Sequence, residues 1–600
     1  MNKKVKKILC SALATVMAAG AIELVACSSD KHAYSVKYDL NYDGADVRTV
    51  SVLKGATAVE WQPYREGWSI EGWYTDANCT EAYDFSAKVE GDVQLYAYWS
   101  KSIDTHRVVF DSNYAGGVSV YAEAGNGKRL DRSAAPAPER LGHKFTGWYK
   151  DADCTDEWVF ESDAVTKPTT LYAGYKYDDS VPRNASGTPV FENVNINVWR
   201  SIDFYTKSVI EDITDQFNKE YAGKISVNLT NSLFNQDAFS LRFQQTPGRN
   251  TSNNSYYSMS DIYALAGLDF SPLLWYEGGS RDSYVDGKLC SIPLFASAPY
   301  LIYNKELMTK YNGNAELPAA RTQFSELLKK VYDGERSDIS FRTIVSDGGW
   351  TYAEMPSAAP FLQNGLPYYD YDNGAYYTDW TQDDKFEQAV DALEVMYDYF
   401  GAGGSIHGEV LHTVADQDGA TVISRVRNKE AFMGIVNWAC SSMSLVNADD
   451  IGVLPLAGLY SDDPECKDLT PVHTMGLSCY KAASVDNTEL AACAVFADYV
   501  SKNSWRFVEK GYYPLRRSAA ESKEFLNNEN GYIAAMSEFV RSTVDPENFT
   551  TFYGSLGGKS IVNSDAALAF FKPFLQEPDN TNASYVIDKL RYMIIRRLVV

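Results

Sequence analysis

At 600 residues the chain is too long for one hydrophobic core, and at roughly 150 residues per domain it holds three or four units. Its 22% charged and 45% apolar residues are those of a soluble globular protein, and 42 tyrosines and 12 tryptophans supply broad stacking faces. A net charge of −24 repels phosphate backbones, which makes nucleic acid a poor partner without identifying a ligand.

The chain opens with basic "MNKKVKK", apolar "ILCSALATVMAAGAIELVA" and then Cys27, the layout of an export signal. "LVAC", continued by Ser28 and Ser29, resembles the lipobox of bacterial lipoproteins. The resemblance implies a signal peptide over 1–26, lipidation of Cys27 and a tether over 27–33. The body would then sit on the extracellular face of the cell membrane, in an envelope of the Gram-positive type. An ordinary signal peptide cut after Ala26 is the alternative. No other stretch reaches the ~18 apolar residues that span a bilayer, so the lipid is the only membrane attachment expected.

An internal repeat follows. "EGWYTDANCTEAYDF" from Glu71 matches "TGWYKDADCTDEWVF" from Thr146, "VKYDLNY" matches "VVFDSNY", and "LYAYW" matches "LYAGY". Alternating strands such as 34–38 and 93–99 bracket each unit. Both units, 34–100 and 104–177, resemble the Listeria–Bacteroides repeat of internalin-type surface proteins, carried by Gly-Trp-Tyr and Asp-x-x-Cys-Thr. That resemblance implies small β-grasp-like domains acting as spacers or wall-proximal contacts. An indole after glycine beside aromatic strands belongs in a mini-core, so Trp73 and Trp148 are expected inside. Residues 178–193, rich in Asp, Ser, Pro and Gly, read as a linker.

The body spans 194–600. "INVWRS" and "KISVNLTN" alternate as strands, and "TKSVIEDITDQFNKEY" between them lines Val209, Ile210, Ile213, Phe217 and Tyr221 along one helical face. "TQFSELLKKVYDG" is a helix with Thr322 as its expected cap, "DDKFEQAVDALEVMYDYF" is another, and Asp486 with Glu489 opens a third at capping-box spacing. "SDIYAL", "PYLIYN", "FMGIVN" and "DIGVLPL" read as short strands. Alternating strand and helix predict an α/β body with mainly parallel sheets, and about 400 residues exceed one core, so two lobes are expected.

"VNINVWRS…VIEDITDQFNKEY", "SDIYALAGLDFSPLLWY", "DGKLCSIPLFASAPYLIYNKELM", "FMGIVNWACSSM", "DIGVLPLAG", "MGLSCYKAAS" and "GYYPLRRSA" stand in the order found in extracellular solute-binding proteins of carbohydrate ABC importers. This resemblance covers residues 194 to about 525; the tail from 521 is expected as helices on the second lobe. It implies a monomeric, two-lobed type II periplasmic-binding-protein body with a hinge and no cofactor. Such a body captures an oligosaccharide, sugar or sugar phosphate and delivers it to permease subunits. "SIPLFASAPYLIYN" would run from one lobe to the other, its small residues facing the cleft while Pro293 and Pro299 stiffen the strand ends.

Candidate ligand contacts are Trp199, Ser297, Tyr300, Trp350, Trp438, Ser441, Gly476, Tyr512, Tyr513 and Arg516, with Met475 beside Gly476. Trp438 is the strongest stacking candidate; Trp199 reads equally as the end of a core strand, whereas Tyr300, in an alternating strand, and Met475 read first as core. Tyr512 and Tyr513 cannot both point inward from an extended chain. Arg516 would suit an anionic group, or pair with the protein's own acids.

Cys79, Cys154, Cys290, Cys440, Cys466, Cys479 and Cys493 form no C-x-x-C pair, and the six histidines lack metal spacing. No Gly-x-Ser-x-Gly elbow or Walker loop is present, so an enzyme is not expected. The alternatives are a surface glycan-binding or adhesion protein without a transport role and, further off, a glycan-acting enzyme.

Overall fold

A computed structural model describes residues 33–599, except for runs at 102–104, 201–205, 231–238, 246–255, 347–357, 412–417, 437–444, 482–484, 552–554 and 561–573 and a few gaps of one or two residues. In each repeat the first and last strands run parallel at the centre of a four-stranded sheet. Ala33–Asp39 lies beside Val93–Lys101 in the first, and Thr105–Asp111 beside Thr169–Tyr177 in the second. Val47–Leu53 and Trp68–Tyr74 form the edges of one sheet, Val120–Gly125 and His143–Tyr149 those of the other. This is the β-grasp-like order implied by the repeat resemblance.

Trp73 and Trp148 are buried at 2% and 3% exposure, and each indole N–H donates to the carbonyl twelve residues earlier, Trp61 O at 2.7 Å and Pro136 O at 3.2 Å. The glycine before each tryptophan sits at a β-bulge with φ of +154° or +153°, which admits a residue without Cβ and turns the indole inward. Cys79 and Cys154 occupy matching left-handed positions, and each sulfur accepts from an asparagine, Asn41 or Asn113, at 3.4 Å. Both are free thiols.

The segment joining the second repeat to the body is a folded turn. Val181 is buried in the core of the first lobe, and Arg183 holds Gly187 O with Nη1 and Leu265 O with Nη2. Asn487 Nδ2 donates to Ser180 Oγ at 2.7 Å. Gly142 of the second repeat lies so close to Leu265 that a Cβ there would collide with the leucine methyl. Second repeat, turn and first lobe therefore pack as one unit.

Among the described residues the body is built on two large sheets, with three two-stranded ones beside them. The first runs in the order Ile225–Thr230, Val194–Arg200, Leu241–Gln245, Thr470–Cys479, Ile292–Ser297, Tyr513–Pro514, with Phe549–Thr551 also on Thr470–Cys479. The second runs Glu409–Val410, Arg342–Ser346, Ala431–Val436, Tyr300–Asn304, Ile451–Pro455. Both are mixed rather than mainly parallel as expected. Strands that travel between lobes enter each sheet against the direction of their neighbours, as Thr470–Cys479 does against Ile292–Ser297.

The amphipathic helices occur where periodicity places them. Lys207–Glu220 buries Val209, Ile210, Ile213 and Phe217, and Asp383–Phe400 buries Leu393, Met396 and Phe400. Asp486 caps Asn487–Lys502, accepting from Glu489 N at 2.8 Å. Asn304 caps Lys305–Asn312 while its Nδ2 donates to Val426 O.

Three further expectations are corrected. "SDIYAL" is helical, within Met259–Leu265, because Met259, Ile262 and Tyr263 fall on one buried face, and a short apolar run does not distinguish the two periods. Thr322 lies inside Arg321–Glu335, and its N–H is capped from far along the chain by Asp462 Oδ1 at 2.9 Å. The tail divides. Ala583–Val599 packs on the second lobe through Val586, Ile587 and Leu590, Gly531–Thr543 packs between the sheets against Ser504–Lys510 of the first lobe and Ile451–Pro455 of the second, and Phe549–Thr551 is a strand of the first sheet.

Among the described residues no helix is long and apolar enough to cross a membrane. Gly142→Ala is expected to loosen the dock between second repeat and first lobe by about 1–3 kcal/mol, since the added carbon overpacks Leu265 at a left-handed position. Amide exchange should quicken across Met259–Leu265 while the Trp148 core keeps its protection.

Candidate functional site

The chain crosses between lobes in very few residues. Ile292–Ser297 pairs with Thr470–Cys479 in the first sheet, and after Ala298 and Pro299 the strand Tyr300–Asn304 pairs on both sides in the second. Ladder directions then locate the facing edges. Through antiparallel Thr470–Cys479, Ile292–Ser297 runs the same way as Leu241–Gln245 and Val194–Arg200. Trp199, Arg200, Gln245 and Ser297 thus end on the edge from which the chain departs for the second lobe. There, Tyr300 arrives opposite Val436 and Pro455, and Ser346 lies opposite Ile435 and Val410. Five strand ends of the second sheet therefore face the first lobe. Crevices outside the carboxyl ends of strands are where α/β sheets take ligands.

Ser297 and Tyr300 are buried at 5% and 3% exposure on either side of the crossing. With Ala296, Ala298, Gly511, Tyr513, Phe539, Val540, Thr543 and Val544 they line a narrow crevice of about 10 Å³, room on the order of a single water. Its walls mix apolar side chains with the hydroxyl-bearing Ser297, Tyr300, Tyr513 and Thr543. The Tyr300 ring meets Phe539 edge-on at 5.3 Å. Burial pushes the Tyr513 hydroxyl well above the usual phenol range, so it stays a neutral hydrogen-bonding group. Tyr512 turns the other way and packs on Phe295 at 4.5 Å, as alternation requires. His473 stands opposite Ser297, and burial lowers it to about 4, so it is uncharged at neutral pH.

Trp199 pairs with Thr230 and Arg242 at its strand end and is 9% exposed. Met475 and Gly476 lie in the returning strand, opposite Phe295 and Pro293, where the ladder bulges. Arg516 is committed within the first lobe: Nη1 donates to Asp498 Oδ1 at 2.7 Å, Nε to Ser518 Oγ at 3.2 Å, and Lys502 shares the same carboxylate. That geometry matches its reading as a partner for the protein's own acids. Trp350, Trp438 and Ser441 lie outside the described residues; in the sequence they stand four, two and five positions beyond the facing ends Ser346, Val436 and Val436.

Sequence reasoning overlooked Phe539, Val540, Thr543 and Val544. Their signal was present as helical spacing within "AAMSEFVRSTV", but nothing in one sequence ties a tail helix to a bend some 240 residues earlier. Among the described residues no cluster of three or more His, Cys, Asp or Glu could hold a metal.

Comparison with known proteins separates the two parts of the chain. The Listeria–Bacteroides repeat domain family matches residues 34–98 and 106–174. Two proteins of Evansella cellulosilytica are similar: one described as a Gly-rich membrane protein, 39% identical over 145 residues, and one as a membrane protein, 37% identical over 148. Each match covers 24% of this chain, and the chain spans 16% and 21% of those relatives. Among solved structures, the sugar-binding protein MalE of Xanthomonas citri aligns with a TM-score of 0.50 at 14% identity, over 68% of this chain and 98% of that one. The chain thus carries two Listeria–Bacteroides repeat domains ahead of an α/β body with the two-lobed fold of solute-binding proteins.

Proposed function

We propose that this is a lipid-anchored extracellular receptor whose body captures a carbohydrate or related polyol between its lobes and delivers it to an ABC permease. The observation that carries the reading is the crossing at Ala298 and Pro299, with strand ends of two separately hydrogen-bonded sheets converging beside it. Two rigid halves joined this way sample open and closed arrangements. A solute that touches both halves favours the closed one by the difference in its affinity for the two.

Aromatic faces and hydroxyls suit a sugar, whose ring has one apolar face and a polar rim. The fold likeness to a protein named as sugar-binding agrees with this chemistry. Trp438 and Trp350 would stack from the second lobe, with Ser441 as a hydrogen-bonding neighbour. Trp199, Ser297, Tyr300, Gly476 and Tyr513 would form the floor. Arg516 and Tyr512 would hold the first lobe in shape. Cys27 would anchor the chain, and the repeats would set the body's distance from the membrane.

A thermal-shift screen of the protein against mono- and oligosaccharides and sugar phosphates tests this directly. A true ligand at a hundredfold its Kd adds ~2.7 kcal/mol to stability, and small-angle scattering should show the particle contract. If no sugar or sugar phosphate raises the melting temperature or contracts the particle, the reading fails. Trp438→Ala should weaken a confirmed ligand by roughly tenfold or more, the order of one lost stacking contact, with the melting temperature of the free protein little changed. Unaltered affinity in that variant would remove Trp438 from the site. A permease-deficient strain that still imports the ligand normally would favour a surface glycan receptor over a transport component.

A further inference from the structure

The edge strand of the second sheet is zipped to its neighbour along its whole length. Thr343 N donates to His407 O at 3.4 Å, and Thr343 Oγ1 donates to Ile406 O. Val345 then stands opposite Glu409 and Ser346 opposite Val410, and Leu411 N donates to Ser346 O at 3.0 Å. Leu411 thus arrives at the facing edge of the lobe, and His407 fixes the other end of the same strand. Its backbone is left-handed, with φ of +58°, a conformation few residues other than glycine adopt.

The His407 ring meets Arg342, the first residue of the neighbouring strand. Arg342 Nη1 lies 3.2 Å from His407 Nε2. A guanidinium has only donors to offer, so the imidazole accepts and Nε2 carries no proton. Arg342 is held in place on its other sides. Nη1 also donates to Ile339 O at 2.9 Å and Phe341 O at 3.0 Å, and Nε pairs with Glu409 Oε2 at 3.3 Å.

The Glu409 oxygen that would offset a second positive charge is already shared, since Arg425 Nη1 donates to it at 2.8 Å. Glu430 lies 3.9 Å from Arg425 Nε, and Asp338 acts on Arg342 from the turn before the strand. The Tyr332 ring covers the imidazole at 5.2 Å, tilted by 33°. Burial, and then the Arg342 charge, hold His407 below the usual imidazole range.

We propose that His407 and Arg342 form an acid-sensitive latch on this edge strand, closed while the imidazole is neutral and opened when it takes a proton, so that acidification loosens the segment that carries Leu411 to the facing edge. A protonated ring presents a donor where Arg342 needs an acceptor, and it sets two like charges at hydrogen-bonding distance. The neutral ring is the form the folded strand favours. Its stabilisation is therefore present in full above the ordinary imidazole value of about 6.5 and is lost as pH falls below it.

Amide exchange of the full-length protein at about pH 7.5 and about pH 5.5, normalised for the intrinsic pH dependence of exchange, tests the latch. Peptides over 342–346 and 406–411 should exchange about tenfold faster at the lower pH, the equivalent of one pKa unit, while Tyr300–Asn304 in the same sheet is unmoved. His407→Gln keeps an acceptor for Arg342 without a titrating proton. Arg342→Gln keeps a donor without the charge, and its amide can turn to accept from a charged ring. In both variants the acid response of these peptides should vanish. Should His407→Gln loosen the turn at both pH values, the ratio between them in Arg342→Gln decides. No acid response in the wild-type protein, or an equal one in wild type and variants, overturns the proposal. The measurement needs no ligand, so it stands apart from sugar capture by the body.

Discussion

The structure depends on one constraint: a backbone that passes from one sheet to another must keep its polar groups hydrogen-bonded on both sides of the passage. Ile292–Ser297 and Tyr300–Asn304 meet it by being interior strands of their respective sheets, which leaves Ala298 and Pro299 as the whole connection. Proline contributes no donor that would need a partner there, and alanine brings no bulk. Each lobe can therefore stay rigid to the last residue before the bend. The crevice lined by Ser297 and Tyr300 lies beside that connection.

The rest of the first lobe is arranged around this fixed strand. Phe295 packs on Phe507 and Tyr512, and Phe243 packs on Phe507 in turn, so the returning segment is locked to the crossing one by aromatic contact. Arg516 ends that segment inside the lobe. Its pairing with Asp498, both nearly buried, gives register more than stability, because taking two charges out of water offsets most of their attraction. The charge is consumed internally, as is that of Arg200 on the facing edge, which pairs with Glu211.

The second repeat is continuous with the first lobe through Val181, Arg183 and Gly142. The duplicated Gly-Trp-Tyr bulge explains why both repeats share one core while differing outside it. The glycine torsion and the indole hydrogen bond are satisfied locally, so flanking positions are free to diverge, as from His143 to Trp68.

Local pattern by itself determined much of this protein. The repeat was legible because two copies announce one another, and the long helices because Val209 to Phe217 or Leu393 to Phe400 repeat at 3.6-residue spacing. The crossing was legible because two apolar runs flank small residues and prolines. Only the tertiary structure decided what those patterns leave degenerate. "SDIYAL" became helix because its apolar residues met the core on one face, and Thr322 surrendered its cap to Asp462, 140 residues away. The sheets became mixed because interlobe strands must reverse, and Phe539 and Thr543 joined the bend from the far end of the chain. Periodicity records which side of an element is buried, but the identity of the burying partner is a long-range fact, and a single sequence carries no term for it.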